Sequence, residues 1–277
     1  MTQSNLDQYC VFGNPVAHSR SPEIHLTFAQ QTNQELNYKK QLVALDGFSS
    51  AVKSFIDAGG KGANITVPFK EEALALADEL SARASLAGAV NTLTFKDGKI
   101  YGDNTDGEGL VQDLIRNKVT LNGCRILIIG AGGAAKGVLL PLLSQQPLAI
   151  TIANRTVSKA EQLCQHVADN RVHACDFTEV TQQYYDVIIN ATSASLSGKL
   201  PAISGEIINK TVTCYDMVYG KDITPFLKWA RKHGAINIID GLGMLVGQAA
   251  ESFSIWREVT PEILPVINKL RTSFATD

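Results

Sequence analysis

Hydrophobic and polar residues alternate along the first hundred positions in a pattern that predicts strands followed by helices. An apolar run at 9–13 ends in Gly-Asn-Pro, and apolar residues then recur at helical spacing over 22–31. Lys-Asp-Gly-Lys at 96–99 indicates a hairpin turn. The predicted strands are 9–13, 38–45, 62–67, 91–95 and 100–102, and the predicted helices are 22–31, 48–58 and 71–79.

The second half of the chain restarts the alternation with more strongly apolar strands. The segment Arg125 to Ile129 is apolar after its first residue, as expected for a parallel strand buried on both faces. Alternating strands and helices after it predict a doubly wound parallel sheet. The predicted strands are 125–129, 149–153, 187–190, 212–217 and 236–239, and the predicted helices are 134–143, 157–167, 225–233, 244–257 and 261–273.

These patterns predict an α/β protein made of two α/β domains. We assign residues 1–103 to an N-terminal domain and residues 104–247 to a Rossmann-type, doubly wound domain. We expect the C-terminal stretch at about 248–277 to pack back on the first domain. The chain of 277 residues is 45% hydrophobic and 19% charged, which suffices for two packed cores.

Composition and charge narrow the class of partner. A net charge of −2 gives no reason to expect nucleic acid or an anionic membrane as partner. The polar start at 1–8 lacks the features of a secretory signal, and the apolar runs are shorter than the ~20 residues that span a bilayer. The cysteines and histidines are scattered without metal-ligand spacing. We therefore expect a cytoplasmic monomer or homodimer without a metal, acting on a small molecule.

A glycine-rich turn follows the strand at 125–129. The segment Gly130 to Ala135 reads Gly-Ala-Gly-Gly-Ala-Ala and fits the pattern G-x-G-x-x-A. Its glycines permit a tight turn and a close approach of the backbone to a pyrophosphate, which the N-terminus of the next helix attracts. Such turns also occur for packing reasons alone. Within a strand-helix-strand unit, the pattern favours a dinucleotide site.

The tip of the following strand indicates which dinucleotide. An NAD site usually carries an acidic residue there to bind the ribose 2′-hydroxyl. This chain has Asn154, Arg155 and Thr156 after the strand, and Lys159 shortly beyond. A guanidinium can bind a 2′-phosphate through paired charge-assisted hydrogen bonds. The tip therefore predicts NADP, against the alternative of ordinary solvated surface residues.

Three polar clusters lie near predicted strand ends in the first part of the chain. Residues two apart on a strand share a face, so Asn64 and Thr66 would present an amide and a hydroxyl together to a small polyol. Ser19 and Ser21 could donate to a carboxylate. Ser21 could equally cap its helix, as Asn104 or Asp106 could cap the next one. The clusters are Ser19 to Pro22, Asn64 to Lys70, and Asn91-Thr92 with Asp103 to Gly107.

Hydride reduction of a ketone needs a proton donor at the developing alkoxide. The chain has no Tyr-x-x-x-Lys sequence and no Cys/His set for a catalytic zinc. Lys70 is a candidate acid/base with Asp106 as its charged partner. The alternative for Lys70 is a surface lysine at the start of a helix, where a cation is slightly unfavourable.

At these residues the chain closely resembles the shikimate dehydrogenase family, and most of all its NADP-specific members in bacterial aromatic biosynthesis. The resemblance covers nearly the whole chain, with the motifs in family order. They are Ser19 to Pro22, Asn64 to Lys70, Gly88 to Thr92, Asn104 to Gly107, Gly130 to Ala134, Asn154 to Thr156, Asn190 to Thr192 and Asp240 to Leu245.

The resemblance implies an NADPH-dependent oxidoreductase acting on a CH–OH group, with the active site in the cleft between the two domains. The reaction would be the reversible reduction of 3-dehydroshikimate to shikimate, in the pathway to aromatic amino acids. Lys70 and Asp106 match the catalytic pair. Ser19 and Ser21 match residues that hold the substrate carboxylate, and Asn64, Thr66, Asn91 and Gln248 match residues that bond ring hydroxyls, with Tyr219 also at the substrate. The matching cofactor positions are Gly130, Ala131, Gly132, Gly133, Ala134, Asn154, Arg155, Thr156, Lys159, Ala191, Thr192 and Ser193, with Met217, Gly241 and Met244 on the nicotinamide side.

One position departs from the family pattern. After Asn190-Ala191-Thr192 the chain reads Ser193-Ala194-Ser195-Leu196, where related enzymes often have a glycine near position 195. A residue other than glycine restricts the backbone, so the conformation of this loop stays open. Two other functions also stay open: a quinate/shikimate dehydrogenase of broader specificity, and a non-catalytic regulator that senses NADP or the substrate.

Overall fold

The computed structural model describes residues 6–276, which form two compact units. Unit 1 runs to Gly109 and also takes in Val246–Asn268. Unit 2 takes in Leu110–Leu245 and the residues from Lys269 onward. Each unit contains a six-stranded sheet with helices packed on it. The predicted two-domain α/β fold is confirmed.

The sheet of unit 1 is mixed. Its order is β2-β1-β3-β5-β6-β4, with β1 parallel to both β2 and β3. Strand β5 runs antiparallel to β3 and to β6. The elements are β1 (Asp7–Gly13), α1 (Ser21–Gln31), β2 (Leu36–Leu42), α2 (Phe48–Asp57), β3 (Gly60–Ile65), α3 (Lys70–Leu76), β4 (Glu79–Leu80), α4 (Ala82–Ala87), β5 (Thr92–Lys96) and β6 (Lys99–Asp103).

The sheet of unit 2 is entirely parallel. Its order is β12-β11-β10-β7-β8-β9, so the direction of winding reverses between β7 and β10. This is the doubly wound Rossmann topology, which binds ligands at the carboxyl ends of the strands beside the reversal. The elements from the first connection onward are α5 (Asp106–Arg116), β7 (Arg125–Ile129), α6 (Gly133–Ser144), β8 (Ala149–Ala153), α7 (Val157–Val167), β9 (Val172–Cys175), β10 (Val187–Asn190), β11 (Thr213–Asp216), α8 (Pro225–Lys232), β12 (Asn237–Asp240), α9 (Leu242–Arg257) and α10 (Ile263–Thr276).

Strand β7 shows why the apolar strands of unit 2 could be recognised from the sequence. Ile126 and Ile128 pack into one hydrophobic cluster, and Leu127 and Ile129 pack into another. The strand is therefore buried on both faces, as its continuous apolar run predicts. The strands β7, β8 and β10 and the helix α7 have the bounds predicted from the sequence.

The structure divides the chain at positions other than those predicted. We expected boundaries at 103/104 and 247/248, but the divisions fall inside the helices α5 and α9. A helix that continues through a division has one unbroken hydrophobic periodicity, so no turn or linker marks the change. The end of α10, from Lys269 on, groups with unit 2 and not with the first unit as expected.

Several local details also differ from the sequence predictions. The short elements β4, α4 and β9 were not predicted, because each offers too few residues for a periodic pattern. Ser21 is the first residue of α1 and not its cap, since Arg20 occupies the cap position, where its side chain makes no capping hydrogen bond. Strand β3 ends at Ile65, so strand alternation does not extend to Thr66.

Two negative findings apply to residues 6–276. No helix in that range is long and apolar enough to cross a membrane. Within the same range, no group of three or more His, Cys, Asp or Glu side chains is placed to hold a metal ion.

A buried carboxylate stabilises the interior of unit 2. Asp113 is fully buried and accepts a hydrogen bond from the hydroxyl of Tyr215 at 2.8 Å, while the guanidinium of Arg116 pairs with it. A Cβ at Gly243 would lie 2.0 Å from this carboxylate, so a glycine is required there. Burial raises the pKa of Asp113, and the bonds from Tyr215 and Arg116 act in the opposite direction.

We predict that Tyr215→Phe lowers the free energy of unfolding by about 1–3 kcal/mol at pH 7, because the buried charged carboxylate loses a donor. The lost bond favours the charged form, so its removal raises the folded pKa of Asp113 further. The loss of unfolding free energy should therefore become smaller as the pH falls from 7 towards ~3.9, the pKa of an aspartate in the unfolded chain, because Asp113 of the folded protein binds its proton in this range. Urea unfolding at pH 7 and at pH 4.5 measures the loss of unfolding free energy at each pH. Tyr184→Phe is the matched control, because Tyr184 is 86% exposed. An equal loss at the two pH values would contradict the charged partnership.

Candidate functional site

An ion pair forms the centre of the polar site in unit 1. The Nζ of Lys70 lies 2.6 Å from Oδ2 of Asp106. The side chains retain 30% and 22% of their exposure, so both are reachable by a small ligand while largely enclosed. Lys70 begins α3 and Asp106 begins α5, so the pair joins two segments far apart in sequence. The structure thus brings together the two residues predicted to act as a pair.

The amide of Asn91 positions Asp106. Its Nδ2 donates to Oδ1 of Asp106 at 2.8 Å, and its Oδ1 accepts from the backbone N–H of Thr105 at 2.9 Å. Asn104 contributes from the same loop, since its Oδ1 accepts from the backbone N–H of Asp106 at 3.2 Å. The Asp106 carboxylate is therefore held on one oxygen by Asn91 and on the other by Lys70.

The backbone of Lys70 is anchored by the hydrophobic core. Phe69, immediately before it, is fully buried and stacks on Phe48 with ring centroids 4.9 Å apart. The carbonyl of Lys70 accepts from the N–H of Val90 at 2.9 Å, beside Asn91. Core packing and one backbone bond thus place the lysine next to the amide that orients its partner.

A buried layer of hydroxyls and amides lies next to the pair, and the sequence analysis missed two of its members, Tyr38 and Ser252. Asn64 accepts from the Tyr38 hydroxyl at 2.7 Å and donates to Ser252 at 3.0 Å. The hydroxyls of Ser252 and Thr92 are 2.7 Å apart, and Thr105 donates to the carbonyl of Gln248 at 2.9 Å. Asn64 and Asn91 are 6% and 2% exposed, so their amides make their contacts mainly within the protein.

The remaining predicted substrate residues of unit 1 differ in their exposure. Ser19 and Ser21 lie together, with their hydroxyls 3.1 Å apart. Thr66 is partly exposed just beyond the end of β3. Gln248 is partly exposed on α9, and its Oε1 is 3.5 Å from Nδ2 of Asn91.

A histidine next to this layer does not supply the proton donor. His25 is 1% exposed and stacks on Tyr38 with centroids 4.3 Å apart. Burial lowers its pKa to about 3, so it is neutral in the physiological range. Lys70, by contrast, lies in the polar site and is partly exposed to solvent.

Unit 2 has a cavity of about 550 Å³ at the carboxyl ends of β7, β8, β10 and β11, beside the reversal in strand order. Its lining within residues 6–276 includes no carboxylate. The lining residues are Gly130, Ala131, Gly132, Gly133, Ala134, Asn154, Arg155, Thr156, Lys159, Ala191, Thr192, Ser193, Met217 and Val218. All but Val218 were predicted from the sequence.

The glycine turn in this cavity fits a phosphate group. Gly130 has a φ of +108°, which favours glycine, and a Cβ there would lie 3.0 Å from Thr192. At Gly132 and Gly133 a Cβ would meet no protein atom within 4 Å, so these positions leave open space. The 12-residue helix α6 begins at Gly133, and its free N–H groups attract an anion. The turn and helix together can hold the pyrophosphate of a dinucleotide.

The tip of β8 adds positive charge to the same cavity. Asn154 donates to the carbonyl of Thr156 at 2.8 Å, which closes a short turn around Arg155. Arg155 and Lys159 are exposed and line the cavity. This arrangement suits the 2′-phosphate of NADP better than the unmodified ribose of NAD.

Three predicted residues lie elsewhere in unit 2. Tyr219 follows β11 and stacks near Phe274, with ring centroids 6.2 Å apart. A Cβ at Gly241 would lie 2.1 Å from the carbonyl oxygen of Met217, so this glycine allows a close backbone approach. Met244 packs against the hydrophobic core beside Met217. Neither Gly241 nor Met244 lines the cavity described above.

Comparisons with known proteins give the family. Three family models match the chain: the shikimate dehydrogenase substrate binding domain over 11–93, shikimate / quinate 5-dehydrogenase over 113–214, and the shikimate 5′-dehydrogenase C-terminal domain over 241–271. The NADP(+) shikimate dehydrogenase of Colwellia psychrerythraea is 66% identical over 99% of both chains.

Solved structures agree with this result. An Ael1 enzyme from Pseudomonas putida is 44% identical with a TM-score of 0.93, covering 95% of this chain and 98% of its own. The shikimate 5-dehydrogenase of Thermus thermophilus, solved with NADP(H) and shikimate, is 29% identical with a TM-score of 0.86, covering 97% of this chain and 100% of its own. The chain belongs to the shikimate dehydrogenase family.

Proposed function

We propose that this protein is an NADP-dependent shikimate dehydrogenase, which reversibly reduces 3-dehydroshikimate to shikimate in aromatic amino-acid biosynthesis. The observation that carries the proposal is the Lys70–Asp106 pair at 2.6 Å, partly exposed and oriented by a buried amide. Relatives 51–66% identical over nearly the full chain have this activity in their names. The predicted substrate residues and the predicted cofactor residues lie on one chain, so either a monomer or a homodimer could carry out the reaction. The proposed compartment is the cytoplasm, where the unpaired cysteines stay reduced.

Lys70 is proposed to move the proton in this reaction. When bound, NADPH supplies the hydride that reduces the ketone carbon. The Nζ of Lys70 then donates a proton to the carbonyl oxygen, and in the reverse direction it accepts the proton of the same hydroxyl. Asp106 accepts the hydrogen bond of Nζ and so directs the remaining N–H groups towards the substrate.

The substrate contacts are proposed as follows. Ser19 and Ser21 donate to the carboxylate, and Thr66 and Gln248 bond ring hydroxyls. Tyr219 is a further proposed substrate residue. Asn64 and Asn91 contribute chiefly by holding the neighbouring polar groups, because their amides are buried and already bonded.

The cofactor contacts are proposed for the cavity of unit 2. Gly130 to Ala134 hold the pyrophosphate, while Asn154, Arg155, Thr156 and Lys159 hold the 2′-phosphate. Ala191, Thr192 and Ser193 form a further wall. Met217, Gly241 and Met244 are proposed for the nicotinamide side.

The direct test is the oxidation of NADPH on adding 3-dehydroshikimate, followed at the absorbance of the reduced nicotinamide. We expect turnover with 3-dehydroshikimate and much slower turnover with 3-dehydroquinate. Comparable rates would favour a broader quinate/shikimate dehydrogenase. Binding of both ligands without turnover would favour a sensor, a function that has no use for the Lys70–Asp106 pair.

We predict that Lys70→Ala lowers kcat by about 10²–10⁴-fold while KM for shikimate changes little, because the group acts mainly in the transition state. Steady-state kinetics with saturating NADP measures both parameters. Lys99→Ala is the matched control, since Lys99 forms only an exposed ion pair with Glu79. A Lys70→Ala variant with nearly normal kcat would remove Lys70 from this role.

We predict that Arg155→Ala raises KM for NADPH by about 10–100-fold, the worth of charge-assisted bonds to a phosphate. KM for NADH should stay nearly constant, because NADH lacks that phosphate. Arg231→Ala is the control, since Arg231 is an exposed arginine on α8 outside the cavity. Equal changes for the two cofactors would show that Arg155 does not bind the 2′-phosphate.

A further inference from the structure

A single carboxylate gathers four donors beneath the cofactor cavity of unit 2. Asp216, at the carboxyl end of β11, is fully buried. The hydroxyls of Ser195 and Thr224 donate to its Oδ2 at 2.7 and 2.6 Å. The amide of Asn190 and the N–H of Val218 donate to its Oδ1 at 3.0 and 3.1 Å. Hydrogen bonds to a buried carboxylate are among the stronger ones in a protein.

Two of these donors, Val218 and Asn190, lie in or next to segments that form two walls of the cavity. Val218 lines the wall after β11. Asn190 precedes the wall after β10, and its Oδ1 accepts from both the N–H and the hydroxyl of Thr192, at 3.2 and 2.7 Å. The Asp216 carboxylate therefore sets the position of residues 191–193 on one side and 217–218 on the other.

Ser195 belongs to the loop whose conformation the sequence analysis left open. It lies in a 3-10 turn, Ala194–Ser197, and is 7% exposed. Among the described residues, those with a positive φ do not include Ser195, so its backbone does not call for a glycine. The side chain of Ser195 instead ties this loop to the strands beside it. Its hydroxyl donates to Asp216 and accepts from Asn190 at 3.4 Å.

We propose that Ser195 is a positioning residue for the dinucleotide. Its hydroxyl holds the wall at 191–193 in the conformation that binds NADP(H), so binding need not order the loop. Ordering a loop on binding costs affinity, and a loop that is already ordered avoids that cost. The inference rests on the proposed function, because it takes the cavity to be the NADP site.

The test compares Ser195→Ala and Ser195→Gly with the unaltered protein in direct NADPH titration, without substrate. Ser195→Ala should weaken NADPH binding by about three- to tenfold, a part of the worth of one hydrogen bond to a carboxylate. Ser195→Gly should weaken it more, because it also frees the backbone. KM for NADPH should rise with Kd, while kcat at saturation and KM for shikimate change little.

Two controls separate positioning from general stability and from recognition of the phosphate. Ser204→Ala removes a hydroxyl that accepts from Glu206 N–H at a similar short turn of unit 2, away from the cavity. It should leave NADPH binding unchanged even if it lowers Tm. Ser195→Ala should weaken NADH and NADPH by similar factors, since Ser195 carries no charge to discriminate between them.

The outcomes are distinct. A Ser195→Ala protein with a lower Tm but unchanged Kd and KM for NADPH would overturn the proposal, because the hydroxyl would then serve stability alone. Unchanged Tm, Kd and KM would overturn it as well. Failure of the unaltered protein to bind NADPH would instead refute the proposed function on which the inference rests.

Discussion

The geometry of the site in unit 1 depends on the hydrogen bonding of one buried amide. Asn91 is nearly inaccessible to solvent, so its donors and its acceptor must find partners within the protein. Its partners include the carboxylate of Asp106 and the backbone of Thr105, adjacent residues where the loop after β6 enters α5. A buried polar group without a partner costs about 1–3 kcal/mol, so movement of that loop is opposed at both atoms. The orientation of Lys70 follows, because the oxygen it binds belongs to the carboxylate that Asn91 holds.

A similar constraint acts in unit 2, where the buried group is an acceptor and not a donor to the carboxylate. There a buried carboxylate, Asp216, is the acceptor and the surrounding loops supply the donors. In both units the exposed groups that would meet a ligand are fixed by a buried polar group one contact further in. Loops without buried contacts are the more mobile parts of a protein, so they would not hold these exposed groups in place by themselves. The buried polar groups thus connect the exposed groups of each site to the packed core of its unit.

The sequence predicted the parts of this structure that depend on local patterns. The apolar run of β7, the glycine turn at Gly130 and the basic tip at Arg155 each lie within a few residues, so the sequence alone reveals them, and the last two line one cavity. In the polar layer of unit 1, Tyr38 and Ser252 were missed, because they are single polar residues within otherwise ordinary elements. The antiparallel strand β5 pairs Asn64 with Thr92 and so brings Asn91 to the carboxyl end of β3. Strand patterns do not reveal direction, and the partnership of Asn91 with Asp106 followed from that direction.

The proposed cofactor contacts and the proposed proton-transfer pair differ in how easily substitutions can change them. Arg155 and Lys159 are exposed on the surface of the cavity, so replacing them disturbs no packing. Lys70 is tied through Asp106 to Asn91, and a change at that buried amide would leave several polar groups without partners. With the proposed roles, preference between NADP and NAD can vary by exchange of exposed side chains, while the proposed proton-transfer pair cannot move without changes in the buried layer next to it. Substitutions should therefore be tolerated more easily at the proposed cofactor contacts than at the proposed catalytic pair.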